Sequence, residues 1–129
     1  MTELRQEEFD AMSGESVAAP NEPHLAVVLL LDTSGSMEGE PIKSLNEAIN
    51  NFKEQTSTDD LARKRVDVAI IEFNSNAKVV QDFVPLPQMQ PVDLQAGGLT
   101  AMGEGINLAI DLVKDRNRFY ATMGTPCFK

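Results

Sequence analysis

Leu25-Ala26-Val27-Val28-Leu29-Leu30-Leu31 runs directly into Asp32-Thr33-Ser34-Gly35-Ser36, and the rest of the chain arranges itself around that junction. An unbroken apolar run of seven residues, bounded by His24 on one side and by turn-forming residues on the other, has the signature of a strand covered on both faces. It is far shorter than the roughly 20 apolar residues a membrane-spanning helix requires. The polar pentapeptide follows where such a strand must stop.

Downstream, Pro41 opens a segment in which Ile42, Leu45, Ile49 and Phe52 fall on one stripe of a helix, expected to end near Gln55. Val66 to Phe73 form a second, β-branched run, and Asn74-Ser75-Asn76 separates it from Ala77 to Val84. So short a link implies an antiparallel hairpin, with the polar-interrupted second strand at a sheet edge. A loop containing Pro85, Pro87 and Pro91 leads to Gly97-Gly98-Leu99-Thr100, and Met102, Ile106, Ala109, Ile110 and Val113 mark another amphipathic helix. Strands alternating with helices belong to the α/β class. The first crossover should be right-handed, so that its two strands lie parallel. In such sheets ligands bind beyond the carboxyl ends of the strands, where Asp32 to Ser36 are expected.

The 129 residues allow one domain of ordinary size, at about 100–200 residues each. Residues 1–23 carry six acids and one base, supplying −5 of the net −9, and read as an acidic flexible leader to a domain over residues 24–129. The negative charge repels phosphate backbones and anionic lipid, so nucleic acid and membrane surfaces are not expected partners. The acidic N-terminus lacks the basic start and apolar core of a signal peptide, which points to a cytoplasmic protein. One cysteine, Cys127, cannot close an internal disulfide. It receives no role, and His24 reads as a boundary residue before the strand.

Asp32, Ser34 and Ser36 offer one carboxylate and two hydroxyls at alternate positions, all hard oxygen donors of the kind magnesium takes at about 2.1 Å. Gly35 permits the tight turn between the hydroxyls, and Thr100 offers a third from a neighbouring loop. Rival motifs fail on residue identity. An EF-hand loop would need acids where Ser34 and Ser36 stand and a glutamate where Lys43 stands. Ser34 interrupts the Asp-Thr-Gly pattern of an aspartic protease, and no second copy exists. Neither Gly-x-Ser-x-Gly nor a phosphate-binding Gly-rich loop ending in Lys occurs. Among the glycines near residue 100, Gly105 reads as a site of close helix–sheet packing. The Asp32–Ser36 stretch also suits a capped turn with no ligand, since Asp, Ser and Gly favour turns anyway.

The stretch Val28 to Met37, followed by Pro41-Ile42 and a helix, resembles the von Willebrand factor A domain, and the similarity extends from about His24 to Val113. The resemblance implies a Rossmann-like three-layer fold with an antiparallel edge strand. It also implies a metal-ion-dependent adhesion site in which Ser34, Ser36 and Thr100 ligate Mg²⁺ or Mn²⁺ and Asp32 binds directly or through water. An Asp or Glu of a protein partner would complete the coordination, and no catalysis is expected. The pattern is most similar to prokaryotic intracellular members, including those associated with tellurium resistance. A third metal loop with its Asp has no counterpart before Lys129, so residues 24–129 are expected to form the N-terminal portion of such a domain. Its first strand would then keep an open edge suited to self-association. Two alternatives stay open: a metal-free scaffold, and a magnesium-dependent phosphoryl-transfer enzyme using Asp32, although haloacid-dehalogenase-type enzymes would need a second Asp at Ser34.

Overall fold

The computed structural model describes residues 21–127, so the leader expected over 1–23 lies almost wholly outside the described residues. Strand β1 (Leu25–Asp32) is followed by a 3-10 turn (Gly35–Met37), helix α1 (Glu40–Thr56) and a short helix α2 (Asp60–Arg65). Strands β2 (Val66–Phe73) and β3 (Ala77–Pro85) come next, then a second 3-10 turn (Leu86–Gln88) and helix α3 (Met102–Met123). The sheet order is β1-β2-β3. β1 and β2 run parallel, Leu25 opposite Val66 through Asp32 opposite Phe73, as expected of two strands joined by a helical crossover. β2 and β3 form an antiparallel hairpin whose register shifts around Ile70.

Alternation along the strands separates two apolar layers. Leu29, Leu31, Val66, Val68 and Ile70 face the layer formed by Ile42, Leu45, Ile49 and Phe52 of α1 together with Leu86, Met89, Val92 and Leu94. The stripe read from the sequence is therefore the core face of α1, which ends one residue beyond Gln55. Its Asn46 and Asn50, one helical turn apart, pin the loop that follows β3. Asn46 donates to the Leu94 carbonyl (3.0 Å) and accepts from the Leu94 N–H (2.7 Å). Asn50 pairs in the same two-way fashion with Val92 at 3.2 and 2.9 Å. Each amide acts as a one-residue strand partner, which lets an irregular loop lie against the core with its backbone satisfied.

α3 covers the opposite face. Gly105 is buried, and a methyl group there would stand 3.1 Å from the tips of Leu30 and Phe73, so the packing expected at this glycine is present. The helix departs from its expected stripe, however. Met102, Ile106 and Ile110 are exposed, while Gly105, Arg116 and Tyr120 are buried. The glycine lets the helix backbone come so close to the sheet that residues a quarter-turn away no longer reach it.

A second correction concerns β1, which reads from the sequence as a strand covered on both faces and hence as the most deeply covered one. That place belongs to β2, in which Asp67 to Ile71 are all buried. β1 is mostly half-exposed, with only Leu31 buried, because β2 flanks it on one side alone. On the other edge, among the described residues, only one bridge forms: His24 pairs in parallel with Cys127, and the His24 N–H donates to the Pro126 carbonyl at 2.8 Å.

Candidate functional site

β1 delivers Asp32 at its carboxyl end, beside the end of β2. One carboxylate oxygen of Asp32 accepts both the Ser34 N–H (2.9 Å) and the Ser34 hydroxyl (2.6 Å). The Ser34 and Ser36 hydroxyls lie 3.2 Å apart. Three of the four residues singled out in the sequence thus form a contiguous oxygen cluster, graded from buried Ser34 through half-buried Asp32 to exposed Ser36. Beneath them Thr33, fully buried, holds the turn to β2 through its N–H and the Phe73 carbonyl (3.0 Å).

Thr100, exposed, stands on a separate loop. That loop's backbone, rather than the Thr100 hydroxyl, is tied to the first one. The Gly97 N–H donates to the Thr33 carbonyl and the Gly35 N–H to the Gly98 carbonyl, both at 2.9 Å. Two further contacts come from the β2–β3 turn, since the Leu99 N–H donates to the Ser75 hydroxyl (3.0 Å) and the Ala101 N–H to the Asn74 carbonyl (2.6 Å). The Asn74 side-chain amide reaches the Thr33 hydroxyl at 3.3 Å. Three loops therefore meet at one end of the sheet. The roles of Asn74 and Ser75 were hidden in the sequence, because both residue types already explain a tight turn by themselves.

The donors are one carboxylate and hydroxyls. Among the described residues, no group of three His, Cys, Asp or Glu side chains could hold a metal. The set is uniformly hard oxygen, of low charge and partly open to solvent, which fits a cation that retains several waters, such as Mg²⁺, and does not fit zinc.

A second polar cluster, unforeseen from sequence, lies at the other end of the sheet. Asp67, buried, accepts from the Tyr120 hydroxyl and lies 3.0 Å from the His24 ring nitrogen Nδ1 and 3.6 Å from Arg116. Burial, reinforced by the Asp67 charge, holds the Tyr120 phenol well above its usual range. Arg116 also stacks over Phe119, 4.5 Å from the ring centre, and near Phe83 and Tyr120. The only sequence signal was Asp67 itself, an acid between Val66 and Val68 at the start of a β-branched run.

A parallel β-α-β unit with an antiparallel edge strand defines an α/β domain of the Rossmann-like type. The chain belongs to the von Willebrand factor type A domain family, whose model matches residues 27–124. No match was found among curated proteins. The chain is similar in fold to the vWF domain of the type V pili tip protein Mfa5 from Porphyromonas gingivalis, at 21% identity and a TM-score of 0.61, over 72% of this chain and 33% of that one. It is likewise similar to the PilB minor pilin from Streptococcus sanguinis, at 16% identity and a TM-score of 0.60, over 78% of this chain and 28% of that one. An uncharacterised protein from Alicyclobacillus acidocaldarius matches at 28% identity and a TM-score of 0.59, over 76% of this chain and 43% of that one. The chain spans a third or less of the two pilus proteins it resembles. Among the described residues, no helix is long and apolar enough to cross a membrane.

Proposed function

We propose that this domain is a divalent-cation-dependent protein-binding module rather than an enzyme. Asp32, Ser34, Ser36 and Thr100 would hold Mg²⁺ or Mn²⁺, and the partner would contribute an Asp or Glu. The observation that carries this reading is the cluster at the end of β1, where the Ser34 hydroxyl lies 2.6 Å from an Asp32 oxygen and 3.2 Å from the Ser36 hydroxyl. When bound, the cation would supply a positive centre with an open coordination position on a chain of net charge −9. Asp32 supplies the one negative donor, Ser34 is oriented by it, and Ser36 is exposed toward the partner. Similarity to pilus tip and minor pilin proteins supports protein binding in general. The reading extends to a cytoplasmic complex of the tellurium- or stress-resistance type, supported by the sequence pattern around Asp32.

Thermal unfolding during Mg²⁺ and Mn²⁺ titration tests it. A ligand that binds only the native state raises stability by RT ln(1 + [L]/Kd). Wild type should show a saturable rise that the Ser34→Ala/Ser36→Ala variant lacks. Equal curves for the two proteins would favour the metal-free scaffold, and phosphatase activity abolished by Asp32→Ala would favour the enzyme.

Among the described residues β1 is paired with a strand along one edge alone, which supports a further element of the partner reading: association between copies of this chain. Val27 to Leu30 are only half-buried, and no Lys, Arg or Pro guards the strand, so its backbone groups are a template for another strand.

A further inference from the structure

We infer that the β2–β3 hairpin turn, through Asn74 and Ser75, is a positioning element of the cation site, fixing Thr100 relative to the Asp32–Ser36 loop. The inference rests on the cation-site reading above. Thr100 is bracketed by two N–H groups, and the hairpin accepts both: Leu99 donates to the Ser75 hydroxyl at 3.0 Å and Ala101 to the Asn74 carbonyl at 2.6 Å. Asn74 also donates through its side chain to Thr33 at 3.3 Å, so one residue touches both loops that carry donors.

The contact is close as well as hydrogen-bonded. Gly98 has φ +77°, and a side-chain carbon there would stand 2.6 Å from the Ser75 hydroxyl oxygen. Only glycine allows the second loop to press against Ser75 in that backbone conformation. The first loop holds the second only through its glycines, by the Gly97 N–H to the Thr33 carbonyl and the Gly35 N–H to the Gly98 carbonyl; Gly97 to Thr100 are exposed, and α3 begins at Met102 with no side-chain cap from Ala101. Thr100 therefore takes its place from the neighbouring hairpin. A ligand held before the cation arrives costs less to order on binding, and residues that orient metal ligands commonly change affinity about 10–100-fold when removed.

The test measures Mn²⁺ affinity of the full chain by the loss of the free-ion electron paramagnetic resonance signal, alongside urea unfolding without cation. Ser75→Ala should weaken Mn²⁺ binding about tenfold while leaving the cation-free unfolding midpoint unchanged, because Ser75 and Leu99 are solvent-exposed. Ser75→Thr, which keeps the hydroxyl, should restore wild-type affinity. Wild-type affinity in Ser75→Ala, where Ser34→Ala/Ser36→Ala has lost binding, would overturn the positioning role and leave the cation site standing. Weak binding in both Ser75 variants, or a lowered cation-free midpoint in Ser75→Ala, would also overturn it, by assigning the effect to packing. Absence of Mn²⁺ binding in wild type would overturn the underlying site and the inference with it.

Discussion

Tyr120 shows how one side chain can anchor a distant part of the fold. Its hydroxyl donates to Asp67 in a buried cluster that joins the start of β1, the start of β2 and the last turns of α3. Removing one partner from a buried charged hydrogen bond costs about 1–3 kcal/mol. Tyr120→Phe should therefore lower unfolding stability in urea at neutral pH by that amount. The pH dependence has a definite sign. The phenol is held above its usual range in the folded state, so the unfolded chain releases its proton first. The stabilisation is whole below pH about 10, the ordinary tyrosine value, and is lost as pH rises beyond it. Tyr120 is the sole tyrosine, so the stability gap between wild type and Tyr120→Phe should narrow above that pH. A gap that stayed constant would remove the phenol from the account. Nothing in the sequence pairs residue 67 with 24, 116 and 120. The cluster depends on where three elements end relative to one another, which local patterns do not encode.

Helix α1 has two tasks in its layer, packing Ile49 into the core while Asn46 and Asn50 hold the loop that leads to Gly97 and Thr100. Asn50→Ala would leave the Val92 N–H and carbonyl without their partner in a buried stretch, since Val92 is 8% exposed. We expect a loss of about 1–3 kcal/mol, and Asn46→Ala should behave alike at Leu94. The two are one turn apart and brace one loop, so the double variant should be non-additive, read by urea denaturation as a coupling energy of about 0.5 kcal/mol or more. Strict additivity would mean that the two pairs act on independent segments. The apolar stripe of α1, the hairpin and the parallel crossover were legible because periodicity and short links encode them. Asn46 and Asn50 were not, since a polar residue on a helix reads as solvated until its partner is known. Helix α2 is too short for an apolar period to mark it, although Asp59 caps it by accepting from Leu61 and Ala62 at 3.0 and 3.1 Å, and the basic Arg63 to Arg65 close it. At the candidate site, alternation of Asp32, Ser34 and Ser36 announced a cluster of oxygen atoms, and the structure brings those three together. Thr100 was legible only as a hydroxyl after paired glycines, because the N–H groups on either side of it are accepted by a separate hairpin, at the Ser75 hydroxyl and the Asn74 carbonyl.

Across the whole molecule, the exposed apolar surface is unevenly distributed. Gly105 faces the sheet, and the cleft beside β3 takes Leu112 and Phe119 from one flank of α3. Met102, Ile106 and Ile110 lie on the other flank, at 52%, 43% and 47% exposure. That flank is shared with Tyr120, whose ring meets His24 just before β1. Among the described residues no strand pairs with the far edge of β1, so that edge and the exposed α3 stripe are apolar surfaces open to a second copy, an apolar border for pairing. Two copies related by a two-fold axis could join β1 to β1 and bring the stripes together, a self-complementary interface of the kind most dimers use. Charge opposes the association, though −5 of the net −9 belongs to residues 1–23. Added salt should screen the repulsion and strengthen it. We expect sedimentation equilibrium at tens of micromolar to show self-association that grows with salt. The Ile106→Glu/Ile110→Glu variant places like charges across the dyad and should sediment as a monomer with its far-ultraviolet dichroism unchanged. A wild type that stays monomeric at every salt concentration would reject pairing through this border.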